Sequence, residues 1–167
     1  QTKKEYKVRT IAFYNLENLF DTKNDSLIFD DDRTPNGKDH WTDIRYWKKI
    51  DNLSKVISNV GFETTKSSPD VIGVCEVENK QVLKDLVNHP NIKEMNYGIV
   101  HFDSPDERGI DVGFLYAKTV FIPTSFTSRR LLLFNEDGER DYTRDQLVVE
   151  GFLDNEKIYF IVNHWPS

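Results

Sequence analysis

The stretch that decides the fold is "DVIGVCE", residues 70–76. Five consecutive apolar or small residues with no polar alternation are the pattern of a β-strand covered on both faces, and such strands belong to layered domains. The run begins and ends on carboxylates, Asp70 and Glu76. Its ending matters most, because ligands of open α/β sheets bind beyond the carboxyl ends of the strands.

Upstream, "VRTIAFYN" over 8–15 reads as a second strand, followed by a long acidic loop over 21–40. Thr42 then suits an N-cap, with Asp43 in the first helical turn. Ile44, Trp47, Ile50, Leu53, Val56, Ile57 and Val60 recur at helical spacing, and Gly61 follows where a terminal glycine belongs. A strand, a helical crossover and a strand in one sheet run parallel, so Asn15 and Glu76 should share one edge. Downstream, a short helix is expected over 80–88, then strands over 97–101, 110–116, 119–126, 146–153 and 157–164. The fold class is α/β, or α+β layered, with a mixed sheet.

The later strands bring further polar residues toward that edge. "LDNEK", residues 153–157, makes the last two strands a hairpin. If Leu153 faces Lys157, then Gln146 faces His164, with Arg144 one diagonal step away. Asp111 opens a strand expected to pair antiparallel with 119–126, which places it at the same edge. The constellation is Asn15, Glu76, Asp111, Arg144 and His164, with Asn18, Glu78 and Asn163 as near neighbours.

Each residue has an ordinary alternative: a strand-end cap for Glu76, a turn former for Asn15, a packed imidazole for His164, a surface ion pair for Arg144. Convergence is what favours chemistry. A carboxylate and a carboxamide suit a hard cation such as Mg²⁺, which keeps waters and bridges to a substrate phosphate. An arginine fork matches phosphate oxygens, and a histidine beside a carboxylate transfers protons or steadies charge. Together they describe metal-assisted hydrolysis of a phosphate ester.

Composition narrows the field. The 167 residues carry a formal charge of −6, which disfavours bulk attraction to a polyanion, so any nucleic-acid reading must rest on a site. No apolar run approaches the roughly 20 residues of a membrane-spanning helix, and the chain reads as soluble. The single cysteine, Cys75, lies in an apolar run and reads as a buried thiol. Asp32, Thr34, Asn36, Gly37 and Asp43 echo a calcium loop, but Pro35 and the final Asp favour a hydrated turn into the helix. Arg129, Arg130, Arg140 and Arg144 are the one basic concentration, and read as a solvated face or a contact to a nucleic-acid backbone.

The segments "IAFYNLENLFD", "PDVIGVCEVEN", "RGIDVGFLY", "TRDQLVVEG" and "YFIVNHWPS" resemble, in order, the endonuclease/exonuclease/phosphatase superfamily with the deoxyribonuclease I fold. The resemblance implies a four-layer α/β/β/α sandwich. It makes Glu76 the Mg²⁺ ligand, with Mn²⁺ or Ca²⁺ as substitutes, and Asn15 its neighbour. Arg144 would contact the scissile phosphate, and His164 would act in catalysis with Asp111 as its carboxylate partner. Two further family motifs, Gly-Asp-x-Asn and a terminal Ser-Asp-His, are not found, and the one Asp-His pair is Asp39 and His40. Residues 1–167 are therefore expected to be the N-terminal portion of one such domain, nearly inactive alone. The missing half, or self-association, would cover an exposed sheet face.

By the resemblance the activity is a Mg²⁺-dependent phosphoesterase acting on phosphodiesters, nuclease-like, in a secreted or periplasmic setting. A chain starting at Gln1 leaves the compartment open. A phosphatase or lipid phosphodiesterase remains the alternative within the superfamily, and a non-catalytic binding module the alternative outside it.

Overall fold

The computed structural model describes residues 6–165. Its centre is the strand that the apolar run announces, β2 (Val71–Val77). β1 (Ile11–Leu19) pairs with it in parallel, and β4 (Asp111–Ala117) pairs antiparallel on its other side. β3 (Tyr97–His101) completes the order β1-β2-β4-β3. The parallel pair follows from the crossover that contains α1 (Asp43–Asn59) and the single-turn α2 (Phe62–Thr65). α3 (Lys80–Val87) connects β2 toward β3.

α1 starts after Thr42, in extended backbone, but the threonine side chain makes no cap bond. The buried stripe is Tyr46, Ile50, Leu53, Ser54 and Ile57. Ile44, Trp47 and Val56, expected on the core side, are exposed. The stripe is rotated because Tyr46 docks on α3, where its hydroxyl donates to Asp85 Oδ2 at 2.7 Å. Gly61 ends the helix at φ +73°, and a Cβ there would meet the Thr10 side chain at 2.6 Å. Ile50, Leu53 and Ile57 pack with Leu83 and Leu86 of α3 against Ile72 and Val74 of β2. Each fully buried aliphatic side chain contributes about 1.5–3 kcal/mol.

The expected pairing of β4 with the next strand does not form. β5 (Phe121–Arg129) joins β8 (Gln146–Leu153) and β9 (Glu156–Val162) in a second sheet, ordered β5-β8-β9. Residues 118–120 carry the chain across, and Phe121 is then buried between the two sheets. Its ring meets Phe114 of β4 at 5.6 Å and Phe160 of β9 at 5.5 Å. A small hairpin, β6 (Leu133–Phe134) with β7 (Arg140–Asp141), lies between β5 and β8. The first sheet thus has helices on one face and the second sheet on the other, with a core on each side. This mixed α/β layering agrees with the sequence reading.

The last hairpin is displaced by one residue from its expected register. Leu153 pairs with Glu156 rather than Lys157. Asp154 and Asn155 both take positive φ, 49° and 73°, so they form a two-residue turn of the kind whose twist suits a hairpin. β9 consequently stops at Val162 and His164 lies just beyond it. On the outer face of the second sheet Ile122, Phe152, Tyr159 and Ile161 are exposed, as are Ile11 and Phe13 of the edge strand β1. Cys75 is buried and free, and burial pushes its thiol up to about 11. Among the described residues no helix is long and apolar enough to cross a membrane.

Candidate active site

Two adjacent irregularities build the site. β1 does not end at Asn15 but continues to Leu19 through a register shift, with Glu17 and Asn18 at positive φ. β2 shifts register between Cys75 and Val77, and Glu76 sits between them at φ 59°. Left-handed backbone at a residue with a Cβ costs about 1–3 kcal/mol and persists where the surroundings enforce it. Bulges re-aim side chains in this way, often beside active sites.

The re-aimed Glu76 carboxylate is held by neutral donors. Asn15 Nδ2 donates to Oε1 at 2.9 Å and the Asn18 amide donates to Oε2 at 2.8 Å. Asn15 is fixed in turn, since its Oδ1 accepts from the Glu17 amide at 2.7 Å. His164 Nε2 lies 3.5 Å from Oε1. Among the described residues no Lys or Arg stands within ion-pair distance of Glu76. Lys49 comes near but donates to the carbonyls of Glu17 and Asn18, bracing the bulge. Partial burial lowers the Lys49 pKa.

His164 is steered from behind. Arg144 Nε donates to its carbonyl at 2.7 Å, and Arg144 Nη2 donates to the Trp165 carbonyl at 3.0 Å. Nη1 pairs with Asp106 Oδ2 at 3.1 Å, with both side chains nearly buried at 6% and 4% exposure. Burial, then the Arg144 charge, lowers the His164 pKa, with Glu76 partly offsetting. The imidazole Nδ1 is buried without a hydrogen-bond partner among the described residues.

Asp111 lies opposite Val77 and so reaches the same edge, but the expected partnership with His164 is not what the structure contains. Its Oδ1 accepts from the Ser104 amide at 2.9 Å and from the Ser104 hydroxyl, while His101 Nε2 stands 3.2 Å from Oδ2. The cause is sheet order: β3, which delivers His101, is the direct neighbour of β4. Burial pushes the Asp111 carboxyl up, against the lowering effect of His101 and Ser104. Thus Asn15, Glu76 and His164 meet, Arg144 supports them, and Asp111 stands apart.

The sequence reading missed Asp106, Lys49 and His101, none of which carries a motif that would reveal it. It named Glu78 and Asn18 only as neighbours. Asn18 contributes its backbone amide, and Glu78, 7% exposed, accepts from the Asp21 amide at 2.5 Å. Burial, with Asp21 nearby, pushes the Glu78 carboxyl up to about 8. Asp25, Glu78, Asp103, Asp106, Glu107 and Asp111 border a cavity of about 530 Å³. The basic concentration divides: Arg144 is buried, whereas Arg140 stacks over Tyr142 at 4.5 Å.

Residues 10–167 match the profile of the Endonuclease/Exonuclease/phosphatase family. No curated protein matches the sequence. Among solved structures, a Bacteroides vulgatus endonuclease/exonuclease/phosphatase is similar at 14% identity and TM-score 0.51, covering 90% of this chain and 49% of that one. A humanized Danio rerio TDP2 is similar at 12% and TM-score 0.52, covering 92% and 45%. A mannosyl-6-phosphatase of Bacteroides thetaiotaomicron gives 15% and 0.49, covering 92% and 50%. At these identities the likeness is one of fold, and the chain spans about half the length of these structures.

Proposed function

The chain belongs to the endonuclease/exonuclease/phosphatase family, and on that premise we propose that it serves metal-assisted hydrolysis of phosphodiester bonds, with nucleic acid the first substrate to try. The observation that carries the reading is Glu76: an anionic side chain aimed by strained backbone, held by amides, with no Lys or Arg among the described residues paired to it. A carboxylate has about four lone-pair sites and these donors take two, so room remains for an ion. Oxygen donors of this kind fit Mg²⁺, with Mn²⁺ or Ca²⁺ as substitutes. When bound, such an ion polarises a phosphoryl oxygen and offsets charge developing in the transition state.

The chain's own residues do the rest. Asn15 and the Asn18 amide fix the direction of Glu76. The His164 imidazole can accept a proton at a ring nitrogen or donate an N–H to a phosphate oxygen. Arg144 holds the carbonyls of His164 and Trp165 with two of its five N–H groups and Asp106 with a third, and a phosphate oxygen would take one that remains.

The residues supply part of a site. The Gly-Asp-x-Asn and Ser-Asp-His motifs would come from a further stretch of the same domain, whose packing would cover the exposed Tyr159 and Ile161. Self-association through that face is the other way to bury it. A second reading, a phosphatase of small esters, is favoured by the acidic cavity, which repels a polyanionic strand.

The test is hydrolysis of bis-(p-nitrophenyl) phosphate and p-nitrophenyl phosphate by the full-length protein, with Mg²⁺ and with EDTA. EDTA-sensitive turnover of the diester supports the leading reading. Turnover of the monoester alone replaces it with the second, and no turnover of either leaves a binding module.

A further inference from the structure

One cluster away from Glu76 has no role in that chemistry. His101 ends β3, Asp111 begins β4, and Asp103 lies in the loop between them. Each offers one ligand atom, and the three atoms lie within 4.8 Å of one another. The His101 side chain is 2% exposed, and its Nε2 is buried without a hydrogen-bond partner. That nitrogen faces Asp111 Oδ2 from 3.2 Å, out of line for an N–H···O bond. Asp111 Oδ1 is already taken by Ser104, which leaves Oδ2 for this encounter.

A buried nitrogen without a partner needs a cause, and a cation between nitrogen and oxygen supplies one. At zinc bond lengths of about 2.1 Å, donors 3.2 Å apart subtend roughly 100°, close to the tetrahedral angle. Asp103 is 90% exposed and lies 3.7 Å from the other ring nitrogen, Nδ1, so its side chain is free to rotate toward the Nε2 side, and one ligand atom of each of the three residues already lies within 4.8 Å of the others. The cavity of about 530 Å³ beside Asp103 and Asp111 has no Lys or Arg among its lining residues, so its field draws cations inward.

We infer that His101, Asp103 and Asp111 form a second cation site, separate from Glu76, for a divalent transition metal that accepts imidazole. One imidazole with two carboxylates suits Zn²⁺, whereas Mg²⁺ favours oxygen ligands and retains its waters.

Equilibrium dialysis against micromolar Zn²⁺ in excess Mg²⁺, with bound metal counted by mass spectrometry, tests the site in the protein and in Asp103→Asn, His101→Gln and Glu76→Gln. The protein and Glu76→Gln should each retain one Zn²⁺ per chain, and His101→Gln should lose it. Asp103→Asn should bind at least about tenfold more weakly. His101 is buried and loss of folding would mimic loss of the ion in its variant, so the exposed Asp103 carries the decision. Zn²⁺ should raise the melting temperature of the protein and raise that of Asp103→Asn less. Equal Zn²⁺ binding by the protein and Asp103→Asn, no binding by the protein, or loss of the ion in Glu76→Gln would overturn the assignment.

Discussion

Asp70 and Glu76 stand at opposite ends of the same central strand, and they are held in opposite ways. Asp70, at the entry, is buried, pairs with Arg9 Nη1 at 3.2 Å and accepts from the Thr10 amide at 2.9 Å. Backbone pairing beside it is regular. Glu76, at the exit, sits in left-handed backbone, has only amide donors among the described residues within hydrogen-bond reach, and faces the His164 imidazole. A carboxylate that is matched by a guanidinium has its charge answered within the protein. One that is gripped by amides and left without a cation is oriented but not neutralised, which is the condition of a metal ligand.

That contrast can be broken by substitution. In the full-length protein Glu76→Gln should lower EDTA-sensitive phosphoester hydrolysis by on the order of 10³-fold while shifting the urea midpoint little, because glutamine keeps the shape of the side chain and one of its two accepting oxygens. Asn15→Ala should cost less, about 10–100-fold, as the loss of an orienting partner does. The comparison fails if Asn15→Ala is the more damaging of the two.

Asp70→Asn should do the reverse. Loss of the ion pair with Arg9 should cost about 1–3 kcal/mol in urea denaturation and leave Mg²⁺ dependence intact. Activity loss greater than that caused by Asn15→Ala would mean that the entry and exit of β2 are not divided as described.

Glu78 gives an effect that is read in pH rather than in activity. Burial lifts its carboxyl from an ordinary 4.5 to about 8, so between those values the native chain holds a proton that the unfolded chain has released. The associated stability is complete below pH 4.5 and is lost as pH rises through 8. Melting temperature measured across that window should fall with rising pH, and Glu78→Gln should flatten the fall. An unchanged slope in the variant would assign the titration to another group.

Much of the scaffold was legible in the sequence. β3 and β8 begin and end where composition places them, and the apolar run of β2 announces a doubly covered strand. The parallel pairing that unites Asn15 with Glu76 follows from one crossover. What escaped was set by long-range geometry. Glu17 and Asn18 look like loop, yet β1 runs through them because a bulge absorbs the irregularity. The polar turn after β4 resembles a hairpin, and only the aromatic contacts of Phe121 reveal that the chain changes sheets. Arg144 reads as a free phosphate ligand until Asp106, 38 positions away, is seen to anchor it. Asp111 lost its expected imidazole for the same reason: strand order, which no local pattern encodes, puts His101 beside it.

The most direct test of the central claim is a calorimetric titration of Mg²⁺ into the protein and into Glu76→Gln, both verified as folded by circular dichroism. The protein should bind Mg²⁺ saturably, Glu76→Gln should abolish that binding, and Asp70→Asn should bind as the parent does. Equal Mg²⁺ affinity in the parent and Glu76→Gln would contradict it, because the strained carboxylate would then hold no ion.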